Sequence, residues 1–303
     1  MRLIALTIVL VLTIAVANAE DCCPGLRSSE GDIQLGLDHV EIAVADRDAA
    51  RELWEGQFGF RMGEWKATTG GVLECRIWLR DGSSIALVYC ETALDRRAMH
   101  YADMCAQGGG PVDVVLTGTE LEHIRYALEA VEEPLEFIDH RTSIELTRPR
   151  DEARQPLRFV QHLLGPLVDR AGSLQPNEAR GISEVWLQTD DLARDLLLLE
   201  LLGGAEAGET NTLAGKATIV EMDGIAFLLF PARKNGLIGL QLEVADLSRC
   251  LDAMQLSEFH SESGPEGPVV QFVIDPALSG GIWLEFTEQT ELPADNPGTP
   301  RNL

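Results

Sequence analysis

An imidazole, carboxylates and amides recur at alternate positions in four short segments: His39 with Glu41, Asp113 with Thr117, Glu184 with Trp186 and Gln188, and Gln241 with Glu243. In an extended strand, side chains two apart share a face, so each set lines one side of a sheet. A polar sheet face suits a cup that closes over a polar small molecule, and it suits plain exposure to water equally well. A second concentration of charge is basic. Arg141, Arg148, Arg150, Arg154 and Arg158 cluster in an otherwise acidic chain, where they could grip an anionic ligand or balance a solvated hairpin. Other chemistries lack their signatures. Gly108-Gly109-Gly110 is not followed by the residues of a phosphate loop, and neither a GxSxG elbow nor an HExxH helix occurs. The six cysteines (Cys22, Cys23, Cys75, Cys90, Cys105 and Cys250) show no CxxC or zinc-like spacing.

The elements that must carry these residues form an internal repeat. LDHVEIAVADRDAARELW from Leu37, PVDVVLTGTELEHIRYAL from Pro111, GISEVWLQTDDLARDLLL from Gly181 and LIGLQLEVADLSRCLDAM from Leu237 each read as an alternating strand, an acidic residue and a helix. The acidic residues, Asp46, Glu120, Asp191 and Asp246, stand where a carboxylate caps free N–H groups and opposes the positive end of the helix dipole. They are read as caps. The opposite strand face is apolar, with Val40, Ile42 and Val44 in the first copy, and is expected to lie under the helices. Turn-separated strands follow each helix, giving four copies of strand, helix and three strands. Two domains result, over 36–166 and 181–288, with linkers over 20–35 and 167–180 and a flexible tail over 289–303.

At the N-terminus, Met1 and Arg2 precede an apolar run from Leu3 to Val16, and Ala17-Asn18-Ala19 offers small residues to a signal peptidase. Residues 1–19 are therefore expected to be a signal peptide, and the protein to be exported to the periplasm or secreted. Export makes disulfides possible, although buried free thiols explain the scattered cysteines equally well. With Lys+Arg 24 against Asp+Glu 49, the formal net charge is −25. Such a chain repels phosphate backbones and anionic lipid, which argues against nucleic-acid and membrane-surface partners and leaves a small molecule as the expected one.

The opening segment GLDHVEIAVADRDAARELWEGQFGFR resembles the start of a glyoxalase-like module of the vicinal-oxygen-chelate superfamily. VIDPALSGGIWLEFTE is similar to that family's closing strand, and FVQHLLGPLVDRAGSLQPNEARGISEVWL to its interdomain junction, with Gln175-Pro176-Asn177 where His-Pro-Asn is usual. The resemblance implies an α+β fold: four βαβββ modules forming two tandem domains, with cupped mixed sheets and helices outside. It further implies a divalent metal in the cup, held by the first strands and last strands of a module pair. Carried over by position, His39, Asp113 and Gln161 are the implied ligands of the first domain, with Ala86 at the fourth place. An amide at Gln161, where the enzymes usually have Glu, weakens such a site. His162, one residue on, is expected on the opposite strand face. In the second domain the equivalent places hold Glu184, Leu228, Gly239 and Glu285, without a nitrogen donor. Glu184, Trp186, Gln188, Gln241, Glu243 and Glu285 are instead expected to line an organic-ligand pocket. Two functions follow from the resemblance. One is a metal-dependent lyase, isomerase or dioxygenase with Glu41 moving the proton; the other is a non-catalytic protein that sequesters a small molecule as monomer or homodimer.

Overall fold

The computed structural model describes residues 35–118, 121–132, 136–139, 143–147, 156–163, 173–256, 260–263 and 269–288. The expected signal peptide, the tail, Glu120, and Arg141, Arg148, Arg150 and Arg154 lie outside the described residues.

All four strand-helix-strand modules are present. Module one comprises β1 (Leu35–Val44), α1 (Arg47–Arg51, continued as a π-helix over Glu52–Gln57), β2 (Lys66–Ala67), β3 (Val72–Trp78) and β4 (Ser84–Cys90). A further helix, α2 (Arg96–Ala106), precedes module two, which comprises β5 (Gly109–Gly118), α3 (Leu121–Ala130), β6 (Glu136–Asp139), β7 (Ser143–Thr147) and β8 (Leu157–His162). Module three runs through β9 (Ala179–Thr189), α4 (Leu192–Leu201), β10 (Ala205–Thr212), β11 (Gly215–Met222) and β12 (Ile225–Pro231). Module four runs through β13 (Gly236–Val244), α5 (Leu247–Ala253), β14 (His260–Ser263), β15 (Val269–Ile274) and β16 (Trp283–Glu288).

Each module pair builds one eight-stranded mixed sheet, ordered β2-β3-β4-β1-β5-β8-β7-β6 and β10-β11-β12-β9-β13-β16-β15-β14. The first strands of the two modules meet antiparallel at the centre, and each lies parallel to the last strand of its own module. This pseudo-twofold arrangement gathers the polar positions of both first strands onto one inner face. The helix starts are capped as their sequences require. Asp46 accepts from the backbone N–H groups of Asp48 and Ala49, Asp191 from Arg194, and Asp246 from Arg249.

A continuous apolar core under the helices includes Val40, Ile42 and Val114 from the first sheet and Val185, Leu240 and Leu242 from the second. Phe60 faces Phe286 at 6.4 Å, and Gln255 N–H donates to the Gln57 carbonyl at 2.8 Å, so modules one and four meet across this core. Gly59 permits the approach, because its φ is +70° and a Cβ there would lie 2.7 Å from the Ala253 carbonyl oxygen. The Gln175-Pro176-Asn177 segment pins the second domain to the first. Gln175 accepts from Arg61 N–H and donates to the Trp78 carbonyl, both at 2.6 Å, while Asn177 donates to the Phe58 carbonyl at 2.9 Å.

One helix departs from the expected outside placement. Ala98, Tyr101 and Cys105 of α2 pack against Ala43, Val72, Val88 and Cys90 on the inner face of the first sheet. The second domain has no counterpart, because only a short turn separates β12 from β13. Cys75, Cys90, Cys105 and Cys250 are buried thiols, and burial pushes Cys75 up to about 11 and Cys250 up to about 12.

Candidate functional site

The inner face of the first sheet and the start of α2 enclose a cavity of about 370 Å³. Five carboxylates line it (Asp38, Glu41, Glu74, Asp95 and Glu145), with three guanidiniums (Arg76, Arg97 and Arg158) and two imidazoles (His39 and His162). Strand alternation delivers most of these groups: Glu74 and Arg76 from β3, His39 and Glu41 from β1, Glu145 from β7, and Arg158 with His162 from β8. Asp38 reaches the same cavity because the β1–β5 register shifts between Leu37 and His39, a β-bulge that re-aims one side chain.

Asp38 joins two histidines. Its Oδ2 lies 2.5 Å from His39 Nδ1 and its Oδ1 lies 2.6 Å from His162 Nε2. Burial works against the Asp38 charge, but the bonds from His162 and His39 and the nearby Arg76 hold its carboxyl well below the usual carboxylate range. For His39, burial and the Arg76 charge disfavour protonation, yet hydrogen bonds to Asp38 and Glu41 outweigh them and raise its pKa. His39 Nε2 faces Glu41 Oε1 at 3.4 Å, so both ring nitrogens point at carboxylate oxygens.

Glu41, 1% exposed, is the electrostatic hub of the cup. Its Oε1 accepts from Arg97 at 3.0 Å and Arg158 at 3.1 Å, and its Oε2 accepts from the Tyr101 hydroxyl at 2.5 Å. Burial opposes its charge, and the Arg97 guanidinium and His39 more than compensate, holding it far below the ordinary range. A carboxylate so committed is a poor base, and it acts here as the anchor of two arginines. Arg158 continues the network to Asp113 Oδ2 and Glu145 Oε1, each at 3.5 Å.

The expected ligands His39, Asp113 and Gln161 are not brought to one point. Val115 pairs with Arg158 and Thr117 with Val160, so Arg158, Val160 and His162 share the inner face of β8. Gln161 lies on the other face beside Ile144, which packs on the helix-side core. The expected facing of Gln161 and His162 is thus reversed: the β5–β8 register sets Arg158 opposite Val115, three residues before the position carried over, and an odd offset inverts the alternation. Register also identifies the true counterpart of Ala86. Glu41 lies opposite Ala86, its repeat equivalent Val115 lies opposite Arg158, and the last-strand place therefore holds a guanidinium. Asp38, Arg76, Arg97, Tyr101 and Glu145 escaped the sequence reading, which placed His162 on the opposite face. Only Arg97 and Tyr101 carried a local signal, being four apart on one helix.

The second cup has a different interior. Glu184, Gln241 and Glu285 stand side by side on β9, β13 and β16. Gln241 donates to Glu285 at 2.6 Å and accepts from the Ser183 hydroxyl at 2.8 Å, while Trp186 donates to Glu184 at 3.2 Å. Burial pushes the Glu184 carboxyl up, opposed only by that indole N–H. Trp186 is fully buried among Ala217, Leu228 and Phe230. It fits because position 239 is glycine; a Cβ there would stand 2.5 Å from the Trp186 ring. Gln188 continues the β9 face opposite Phe230, and Glu243 is half-buried near Asp81 and Arg180, with burial raising its pKa.

No family model and no curated protein matches the sequence. Solved structures do match. A mutant of 4-hydroxymandelate synthase from Streptomyces coelicolor superposes with a TM-score of 0.60 at 11% identity, over 84% of this chain and 93% of that one. A catechol 2,3-dioxygenase matches with a TM-score of 0.54 at 16% identity, over 83% and 87%. A fusion of a xylose isomerase-like TIM barrel with 4-hydroxyphenylpyruvate dioxygenase matches at 0.57 and 14% identity, over 88% of this chain and 50% of the fusion. The chain has a tandem vicinal-oxygen-chelate fold. Within that fold the inner-face positions of the first cup do not fit a divalent metal. A permanent cation already sits among Glu41, Asp113 and Glu145, both nitrogens of His39 face carboxylates, and Gln161 faces away. Among the described residues, no group of three or more His, Cys, Asp or Glu side chains is arranged to hold a metal.

Proposed function

We propose that this is an exported, non-catalytic small-molecule-binding protein of the vicinal-oxygen-chelate fold, whose ligand site is the first-domain cup and needs no resident metal. The observation that carries this reading is Arg158 at the last-strand place, where it is bonded to Glu41 at 3.1 Å. A guanidinium there supplies the positive charge that a metal would bring, but it cannot open coordination places to two substrate oxygens. The cavity volume falls in the range of small-ligand sites, and apolar Val72, Val115 and Val160 share its wall with the charged groups.

The test is elemental analysis of the full chain purified without chelator, beside His39→Ala, followed by thermal shifts with Zn²⁺, Mn²⁺ and Fe²⁺. We expect far less than one metal per chain and shifts within about 1 °C, since a cation that binds the native state tightly would raise the midpoint measurably. Near-stoichiometric metal that disappears in His39→Ala would overturn the reading in favour of a chelating enzyme.

A further inference from the structure

Resting on that reading of the first cup, we infer that its ligand is a small zwitterion: a molecule carrying one carboxylate and one ammonium group, such as a free α-amino acid. The inference comes from which charges remain accessible. The innermost groups, Glu41 and Arg158, are at most 6% exposed through their side chains and are bonded to one another at 3.1 Å. Nearer the opening, groups of both signs face the same space. Arg97 is 31% exposed, Arg76 21%, Glu74 20% and Asp38 13%.

Strand β3 carries both signs, and α2 adds a further positive one. Glu74 and Arg76 project from one face of β3 and are paired at 2.5 Å. Arg97 rises from α2, its guanidinium held by the Tyr101 hydroxyl at 2.8 Å, Glu41 at 3.0 Å and Glu145 at 3.3 Å. Those contacts lock its orientation, and the side chain stays 31% exposed on the cavity wall. The guanidinium has more N–H groups than these partners use, so a carboxylate can bond there, and an ammonium can bond Glu74 or Asp38.

Charge balance disfavours singly charged ligands. The lining carries five carboxylates, three guanidiniums and two imidazoles, so a lone anion or cation would face like charge in a partly desolvated space. A net-neutral molecule with both charges leaves the balance intact and replaces water at both signs. The apolar patch of Val72, Val115 and Val160 gives room for an aliphatic side chain.

The experiment is calorimetric titration of the full chain with the twenty L-α-amino acids and glycine betaine, beside singly charged and neutral polar molecules of similar size. For whichever amino acid binds best, its N-acetyl and carboxamide derivatives follow. We expect each blocked derivative to lose about 10- to 100-fold in affinity, the worth of one charge-assisted hydrogen bond. Arg97→Gln should lose as much for the parent and little for the carboxamide, whereas Glu184→Gln, in the other cup, should leave affinity unchanged. The inference is overturned if blocked derivatives bind within about threefold of the parent, less than one such bond is worth. It is equally overturned if singly charged or neutral molecules bind and no zwitterion does, a result that leaves the cup standing as a binding site. Silence across the entire set would sink the cup itself as a site, and the zwitterion with it.

Discussion

The two cups share strand order, pairing and the central antiparallel junction, yet the first holds a cavity lined by charge and the second buries a tryptophan in an apolar cluster. The difference starts with three local choices. In the first cup His39 stands where the second has Glu184, Arg158 where it has Glu285, and α2 covers an inner face that the second domain leaves to its own side chains. Asp38 and Glu41 in the first cup face arginines and histidines and are held strongly acidic. Glu184 in the second is half-buried without such a partner and shifts the other way. A shared scaffold thus supports opposite electrostatics, because a sheet fixes where side chains point and not what they carry.

The sharpest way to break this comparison is Arg158→Met. It keeps volume while leaving Glu41, Asp113 and Glu145 without a central cation, and urea unfolding should show a loss of roughly 3–5 kcal/mol. A loss below about 1 kcal/mol would mean that the network is solvated rather than buried. In the other cup, Gly239→Ala should cost about 1–3 kcal/mol by pushing a methyl group into the Trp186 ring, again read by urea unfolding. Zwitterion binding in the first cup should be unaffected.

The smallest expected effect is in the pH dependence, and it contrasts His39 with the carboxylates. His39 has a folded pKa raised above the ordinary histidine value of 6.5, so its contribution is fully present below about pH 6.5 and is lost as pH rises through the folded value. Asp38 and Glu41 have lowered folded values, so their contribution is present above the ordinary carboxylate range and disappears only as pH falls through their strongly acidic folded values. Melting temperatures measured from pH 5 to 9 should therefore decline above neutrality, and His39→Asn should flatten that decline. An unchanged slope in the variant would remove His39 from the network.

Much of the architecture was legible before any coordinates. The repeat around Asp46, Glu120, Asp191 and Asp246 named four helix starts, and the three whose caps are described are capped as expected, because capping depends on residues within one turn. Alternation on β1 and β9 placed His39, Glu41 and Trp186 on the inner face for the same local reason. The site itself was less legible. Asp38 reaches the cavity through a bulge that exists only once β5 pairs with β1. Gln161 and His162 exchanged faces because an odd offset in register at β8 inverts a whole strand. Helix α2 went unread because it falls between two modules and belongs to neither copy of the repeat.

By itself, then, the sequence determined the four modules, the polar and apolar faces of their first strands, and the acidic surface, since these follow from periodicity, capping and composition. Only the tertiary structure decided that Arg158 meets Glu41, that Arg97 and Tyr101 reach the same carboxylate from a separate helix, and that Trp186 is buried among Ala217, Leu228 and Phe230. Those contacts join residues far apart in the chain, and their energies depend on burial and pairing that exist only when the sheets have formed.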